Sequence, residues 1–179
     1  MQLPIGHSGS IVHAVDVTAR RLGRPQRAAV ARAVRVTLSR QKCTAATVSV
    51  AIVDDDAISR LHRRYLGIEG PTDVLSFDLR DERTPAAVDG EIVVSGDTAR
   101  REARRRRIPA STELLRYVIH GTLHLLGFRD DTPARVKDMH RREDEILRIL
   151  ERERPRGLSR STRACRAVTA RTRKRTDGP

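Results

Sequence analysis

Aromatic residues are scarce in this sequence, which has two tyrosines, two phenylalanines and no tryptophan among 179 residues. Base stacking on aromatic side chains, which many readers of single-stranded nucleic acid use, therefore has few candidate residues. The chain also has only two cysteines, Cys43 and Cys165, which are far apart and not in CxxC spacing. Neither a disulfide framework nor a zinc knuckle is predicted, and this composition fits a reducing cytoplasm.

Long apolar runs are missing as well. The first residues lack the basic region and the sustained apolar run of a signal peptide. No apolar stretch reaches the length that a bilayer span requires. The sequence therefore predicts a soluble, cytoplasmic protein with no membrane association.

Arginine, by contrast, is abundant. The chain has 36 Lys and Arg residues against 23 Asp and Glu, a net charge of +13 and a pI of about 11.3. Such a surplus favours a polyanionic partner, with nucleic acid first and an anionic membrane surface second. An arginine-rich composition that reflects coding bias and stays solvated is the alternative.

The basic residues are concentrated at the C-terminus. From Arg154 onward the chain has nine Lys or Arg residues and one acid, Asp177, interspersed with Pro, Gly, Ser and Thr. This composition predicts a basic, disordered tail over residues 154–179 that adds non-specific affinity for nucleic acid. Residues 1–153 are predicted to form one domain.

The spacing of apolar residues predicts alternating strands and helices, followed by a helical C-terminal half. β-Branched residues indicate the strands, and apolar residues three and four positions apart indicate the helices. Predicted strands cover residues 11–18, 47–53, 74–77 and 91–95; predicted helices cover residues 25–40, 97–107 and 133–152, with others after Asp56 and Pro109.

For two of these helices, the sequence also predicts how the helix begins and which side chains it buries. The acidic run over residues 54–56 is predicted to cap the helix that follows it, rather than to bind metal, and Tyr65 is predicted to share that helix's apolar face. Ser111 with Glu113 is predicted to open the helix after Pro109. That helix is apolar around much of its girth, which predicts a buried central position.

The strongest functional signal is the pair His120 and His124, four residues apart on this buried helix. On a helix, two side chains four residues apart lie on one face, separated by only about 40° around the axis, so both imidazoles can bind one ion. Gly127 is placed to end the helix, after which Asp130 or Asp131 can supply a carboxylate. Two histidines and one carboxylate leave a coordination position open, as in catalytic zinc sites.

These motifs resemble the YbeY family of bacterial endoribonucleases. The family's histidine motif, HGxLHLLGYDH, corresponds to the sequence HGTLHLLGFRD that starts at His120. The family block PTDVLSF is intact over residues 71–77, and its block GDIVIS corresponds to GEIVVS over residues 90–95. The family's Met followed four residues later by Glu recurs as Met139 and Glu143. The matching blocks run from about residue 45 to 150 and leave out the basic tail.

The resemblance implies an α+β fold, with a small mixed four-stranded sheet packed with five to six helices and the histidine helix at its centre. It also implies one zinc ion held by three histidines, and no small-molecule cofactor. The implied activity is cleavage of single-stranded RNA in ribosomal RNA maturation and ribosome quality control.

This chain departs from the family at the third histidine, which falls on Asp130. Aspartate is a sound zinc ligand, but it lowers the net charge of the occupied site by one. The expected metal ligands are therefore His120, His124 and Asp130, and a harder divalent ion such as manganese becomes an alternative to zinc. Asp131 and His140 are fallback ligands that do not sit at the family position.

A second departure affects the family's YRG segment, whose arginine is thought to contact the scissile phosphate. The segment reads YLG here, with Leu66 at the arginine position, so Arg64 is the nearest substitute for the phosphate contact. Thr72, Asp73 and Ser76 are expected to line the cleft or to brace the metal ligands. The alternative for this block is a tight turn that enters a buried strand.

Two other functions are alternatives to the nuclease. A zinc protease with an HExxH motif uses the glutamate as general base, and Gly121 occupies that position here, which argues against proteolysis. A catalytically weakened RNA- or ribosome-binding assembly factor fits the two departures from the family, but it has little use for an open metal position.

Overall fold

The computed structural model describes residues 12–19, 22–80 and 87–153. The tail predicted for residues 154–179 lies outside the described residues. The elements in chain order are β1 (Val12–Ala19), α1 (Arg24–Arg40), β2 (Ala45–Val53), α2 (Asp55–Leu66), β3 (Val74–Asp78), β4 (Val88–Ser95), α3 (Gly96–Arg106), α4 (Ala110–Leu125) and α5 (Pro133–Arg152).

The four strands form one mixed sheet in the order β1-β2-β4-β3. Strands β1, β2 and β4 run parallel, and β3 pairs antiparallel with β4 at the edge of the sheet. Helix α1 connects β1 to β2, as expected for a parallel crossover. The expected α+β fold with a mixed four-stranded sheet is confirmed, and five helices lie in the described part of the chain.

Both faces of the sheet are covered, because side chains of successive strand residues point to opposite faces. On β4, Ile92 and Val94 belong to the large core that α1, α4 and α5 complete. Val93, between them, packs on the other face with Ile58 of α2 and Leu75 of β3. This second core is smaller, so α2 is held by fewer buried side chains.

Helix α4 occupies the centre of the large core, as predicted. It packs against β3 and β4 and also contacts α1, α3 and α5. Its residues Ile119 and Leu123 are fully buried. Gly121 allows the close approach to the sheet, because a Cβ there would lie 2.8 Å from Ile92 Cγ2 and 2.9 Å from Ser76 Oγ.

The start of α4 differs from the prediction. The helix begins at Ala110, directly after Pro109, and the prediction that Ser111 with Glu113 opens it is wrong. The carboxylate of Glu113 is fully buried and lies 3.3 Å from a guanidinium nitrogen of Arg106 in α3. A buried carboxylate that has an arginine within reach does not act as an exposed cap.

Helix α2 confirms the capping prediction. Asp54 accepts a hydrogen bond of 2.8 Å from the backbone N–H of Ala57. Asp55 accepts hydrogen bonds from the Ser95 and Thr98 hydroxyls at the start of α3 and from Arg101 in the middle of that helix. The acidic run therefore ties the beginnings of α2 and α3 together.

At the other end of α2, Tyr65 lies on the predicted face, because it contacts Phe77, which packs with Ile58 and Leu61. Only Ile58 of this helix is buried, and Tyr65 is 55% exposed. Its ring contacts Phe77 of β3 edge-on, with the centroids 4.9 Å apart. Because β3 is the edge strand of the sheet, no further strand in the described part of the chain covers the last turn of α2.

Among the described residues, none of the helices combines the length and the apolar composition needed to span a bilayer.

Candidate metal centre

The two histidines of α4 point their ring nitrogens at each other. The Nε2 atoms of His120 and His124 are 2.8 Å apart, and the rings are nearly perpendicular, with an interplanar angle of 82°. The side chain of His120 is 20% exposed and that of His124 is 30% exposed. A solute in the adjoining groove can therefore reach both nitrogens.

The other nitrogen of each ring is held by an acceptor. Nδ1 of His120 donates to Oε1 of Glu143 at 2.8 Å, and Nδ1 of His124 donates to the carbonyl oxygen of Phe128 at 2.9 Å. Since neither acceptor carries a proton, each neutral ring has its proton on Nδ1. Two Nε2 lone pairs then face each other, an arrangement that only a cation or a shared proton between them stabilises.

The turn after α4 brings a carboxylate to this pair. Gly127 adopts a left-handed conformation with φ 87°. The N–H of Phe128 donates to the carbonyl of Leu123, and that of Gly127 donates to the carbonyl of His124, so the helix ends in a Schellman motif. The chain then places Asp130 Oδ2 3.6 Å from His120 Nε2 and Oδ1 3.9 Å from His124 Nε2.

This donor set fits a divalent metal ion. One ligand atom from each of His120, His124 and Asp130 lies within 4.8 Å of the other two. An ion about 2.0–2.1 Å from each nitrogen in tetrahedral geometry holds the nitrogens about 3.3 Å apart, so the rings need to separate by about half an ångström. The third ligand is 44% exposed on a loop, so it can move to complete the set.

Negative charge around the pair favours a cation. Glu143 is 2% exposed, and its second oxygen lies 3.1 Å from Arg116, which also pairs with Asp144. Burial alone raises the pKa of Glu143, but its hydrogen bonds to His120 and Arg116 outweigh burial and lower it. Burial alone lowers the pKa of His120, but the hydrogen bond and charge of Glu143, with Asp130 and Asp73, raise it. The same field attracts a metal ion.

The pair forms one wall of a groove of about 510 Å³. The opposite wall comes from the end of α2 and from β3, and the lining residues are Tyr65, Leu66, Asp73, Val74, Leu75, Ser76, Phe77, His120 and His124. The volume lies within the range of about 300–1,000 Å³ that is usual for ligand sites. The groove therefore has room for a ligand next to the histidines.

Comparison with known proteins places the chain in a family. A sequence profile described as Endoribonuclease YbeY matches residues 16–151. The chain belongs to the YbeY endoribonuclease family. Proteins named Endoribonuclease YbeY from Anaeromyxobacter sp. and Chloroherpeton thalassium are 42% and 34% identical to it over 103 and 121 residues. These alignments cover 58% and 68% of this chain, and 54% and 84% of the respective relatives.

A solved structure supports the fold. The solution structure of a protein from Thermotoga maritima superimposes with a TM-score of 0.56 at 25% sequence identity, covering 79% of this chain and 91% of the other. The chain spans about half the length of the Anaeromyxobacter relative, 54%, and most of the Chloroherpeton relative, 84%.

The structure distinguishes Asp130 from the alternative metal ligands, Asp131 and His140. Asp130 reaches the pair, whereas Asp131 forms an ion pair of 2.7 Å with Arg135. His140 is exposed on α5 and is not one of the three clustered residues. The YbeY-type site of this chain thus has two histidines and one aspartate within reach of a common point.

The block over residues 71–77 only partly follows expectation. Asp73 and Ser76 line the groove, and Ser76 also donates to the carbonyl of Gly121 at 3.2 Å. Thr72 donates to Asp73 at 3.1 Å, and the same carboxylate oxygen accepts the Val74 N–H, which is the predicted turn into a strand. Asp73 therefore takes part in both the groove lining and the turn, whereas Ser76 lines the groove and Thr72 belongs only to the turn.

The phosphate-contact candidate lies at the rim of the groove. Arg64 is exposed, and its guanidinium carbon lies 5.6 Å from the centre of the Tyr65 ring. Leu66, at the family's arginine position, is 59% exposed and lines the groove. An apolar side chain thus stands where the family has a cation.

Sequence reasoning assigned no role to Glu143, which holds His120. The signal was present, because Glu143 falls on the apolar face of α5 with Met139, Ile146 and Leu147, all of them buried. An acid at a core position needs a buried partner. What the sequence did not reveal is that this partner is the histidine on a different helix.

Proposed function

We propose that the protein is a metal-dependent endoribonuclease that cleaves single-stranded RNA in the groove beside His120 and His124. Its place in the YbeY family and the names of its relatives support an RNA substrate. We further propose that its biological substrate is ribosomal RNA, within maturation and quality control of the ribosome, and that it acts in the cytoplasm. The net charge of +13 supports a polyanionic partner of this kind.

One observation carries the metal dependence. The Nδ1 atoms of both histidines donate to fixed acceptors, so two lone pairs converge at 2.8 Å beside a carboxylate. A pure binding surface has no use for this arrangement. We propose His120, His124 and Asp130 as the ligands of one zinc ion, with manganese as an alternative because a carboxylate replaces an imidazole.

When bound, the ion would polarise a phosphate oxygen and lower the pKa of a coordinated water. The chain's own residues do the rest. Glu143 orients the His120 ring, and the Phe128 carbonyl orients the His124 ring, so neither nitrogen has to reorganise when substrate arrives. Arg64 supplies positive charge at the rim for the RNA backbone, in place of the arginine that Leu66 replaces.

The acidic character of the groove also supports a metal requirement. Asp73 lines the groove and Asp130 borders it, so a phosphodiester that enters meets two carboxylates. Repulsion between these charges and the phosphate disfavours binding unless a cation lies between them. Substrate binding in the groove should therefore depend on the metal, whereas binding elsewhere on the basic surface should not.

A second candidate function rests on Leu66. The loss of the family's arginine at a groove-lining position removes a charge that stabilises the transition state, which fits an RNA- or ribosome-binding assembly factor with weak cleavage. The convergent histidines favour the enzyme over this alternative.

The deciding experiment assays purified full-length protein on an unstructured, end-labelled RNA, with and without a chelator. We expect cleavage by the wild type and by His140→Ala, and none with chelator or with His120→Ala. His140→Ala is the matched control because it removes an exposed histidine outside the cluster. Binding without cleavage that neither chelator nor His120→Ala changes would instead establish the assembly-factor function.

A further inference from the structure

Two exposed apolar residues, Tyr65 and Leu66, line the groove. In the described part of the chain, Tyr65, Leu66, Ile68 and Leu79 are the large hydrophobic residues with more than half of their surface exposed. Three of them lie within four consecutive residues at the end of α2, and Leu79 follows two residues after Phe77, which contacts Tyr65. Clustered apolar exposure of this kind indicates a binding surface, whereas scattered single residues do not.

The Tyr65 ring is held in place although it is exposed. Phe77 contacts it edge-on at a centroid distance of 4.9 Å and an angle of 63°. Gly67 ends the helix directly after Leu66 in a left-handed conformation, with φ 70°. The ring is therefore oriented before any ligand binds, and a flat partner that covers it loses little conformational freedom of the protein.

This aromatic surface is continuous with the candidate metal centre. Tyr65, Leu66 and Phe77 line the same groove as His120 and His124. A ligand that fills the groove thus meets an apolar wall on one side and the histidines on the other. Such a ligand needs a flat apolar part and a part that suits a metal or cation, and a nucleotide unit has both.

We propose that Tyr65 and Leu66 form a nucleobase subsite, in which one base of a single-stranded RNA covers the Tyr65 ring while its backbone runs toward His120 and His124. The inference rests on the proposed function and adds the residues that position the RNA strand in the groove. Base stacking on an aromatic side chain is tolerant of base identity. The subsite therefore explains recognition of single strands without a sequence code.

Charge favours an RNA strand over a second copy of this chain as the occupant. Arg63 and Arg64 are exposed in the last turn of α2, and the whole chain carries a net charge of +13. Two such chains repel each other, whereas a polyanion is attracted to the same rim. Arg64, whose guanidinium carbon is 5.6 Å from the ring centre, brings positive charge to the position where the base joins its backbone.

The test compares two ligands of equal charge and length, a short oligouridylate and the same chain without bases. Binding is measured by fluorescence anisotropy with zinc present, because binding in the groove should depend on the metal, and electrophoresis of each ligand afterwards checks that it has not been cleaved. We expect the wild type to prefer the oligouridylate by about 5- to 150-fold, the range for stacking of one base. Tyr65→Ala should lose most of this preference, and Tyr65→Phe should keep it.

Leu66→Ala and Leu79→Ala form the matched pair. Both residues are exposed leucines, at 59% and 56%, but only Leu66 lines the groove. We expect Leu66→Ala to weaken the preference and Leu79→Ala to leave it unchanged. Because Tyr65 is half exposed, its variants should fold, and an unchanged thermal midpoint checks this.

Several outcomes would overturn the subsite. Equal binding of both ligands by the wild type is one, and a preference that survives Tyr65→Ala is another. A wild type that sediments as a dimer, and becomes a monomer on Tyr65→Ala, would assign the surface to a second copy instead. Cleavage tested separately on RNA distinguishes the two proposals: loss of the preference in Tyr65→Ala without any metal-dependent cleavage supports the subsite alone, and cleavage with no base preference supports the nuclease alone.

Discussion

Replacement of Glu143 by glutamine tests how the protein holds its candidate metal ligand. Glu143 is 2% exposed and accepts the Nδ1 proton of His120 at 2.8 Å. Glutamine keeps the shape and can still accept this proton, but it removes the negative charge that makes the ring a stronger donor to metal. Loss of such an outer partner typically weakens metal binding by about 10- to 100-fold, which corresponds to about 1.4–2.7 kcal/mol.

Glu143→Gln should also lower stability. Its second oxygen lies 3.1 Å from Arg116, whose side chain is 23% exposed. The amide NH₂ of glutamine would face the guanidinium of Arg116, and two hydrogen-bond donors cannot bond to each other. Asp144 would then be the remaining carboxylate partner of Arg116. A lost charge-assisted hydrogen bond at a buried position costs about 1.5–3 kcal/mol. The free energy of unfolding in chelator should fall by an amount of this order.

The assay is competition for zinc between the protein and a chelating indicator at pH 7. Asp144→Asn is the control, because Asp144 contacts the same Arg116 at 2.9 Å but is 44% exposed and is not a partner of His120. We expect Glu143→Gln to lose zinc affinity and Asp144→Asn to keep it. Equal zinc affinity in wild type and Glu143→Gln would refute the role of Glu143 in orienting the ligand.

Four further predictions follow from single contacts and charges. Gly121→Ala should lower the free energy of unfolding by up to about 2 kcal/mol, as measured by urea unfolding. The added Cβ would lie 2.8 Å from Ile92 of β4 and overpack the core, and this cost outweighs the gain of about 1 kcal/mol from the higher helix propensity of alanine. Burial alone raises the pKa of Asp55, but its hydrogen bonds to Ser95, Arg101 and Thr98 outweigh burial and lower the pKa below 3.8. The charged carboxylate therefore stabilises the folded protein above pH 3.8, and this stabilisation is lost as the pH falls further. In Asp55→Asn, the free energy of unfolding should fall less steeply with decreasing pH in this acid range. Asp130→Ala should lower the metal stoichiometry found by elemental analysis, whereas Asp131→Ala should not, and an unaltered stoichiometry in Asp130→Ala would reassign the third ligand. Deletion of residues 154–179 should reduce the salt dependence of RNA binding by removing nine cations without abolishing metal binding, and an unchanged salt slope would contradict this.

Local patterns predicted the elements well because their signals are strong and short-range. Asp54 caps α2 as predicted, Pro133 opens α5, and Gly127 turns the chain where the histidine helix ends. Each of these rests on residues within one or two turns of the helix. The apolar face of a helix is likewise visible in its own sequence.

The features that the sequence does not predict correctly all involve contacts between distant parts of the chain. The exposure of Tyr65 depends on β3 lying at the edge of the sheet, and strand order is not encoded in any single strand. The spacing of Glu113 predicts a capping residue, but Glu113 is buried beside Arg106 of the preceding helix. Glu143 and His120 are 23 positions apart and meet only because α4 and α5 pack together.

The spacing of the histidine motif has a structural reason in the turn that follows it. The Schellman motif that ends α4 positions the carbonyl of Phe128, and this carbonyl accepts the proton of His124 Nδ1. The same turn directs the chain back so that Asp130, two residues later, reaches both Nε2 atoms. The turn at Gly127, with φ 87°, thus fixes the tautomer of His124 and also positions Asp130. Because any other residue is strained in this conformation, a change at Gly127 should disturb His124 and Asp130 together, although neither is altered.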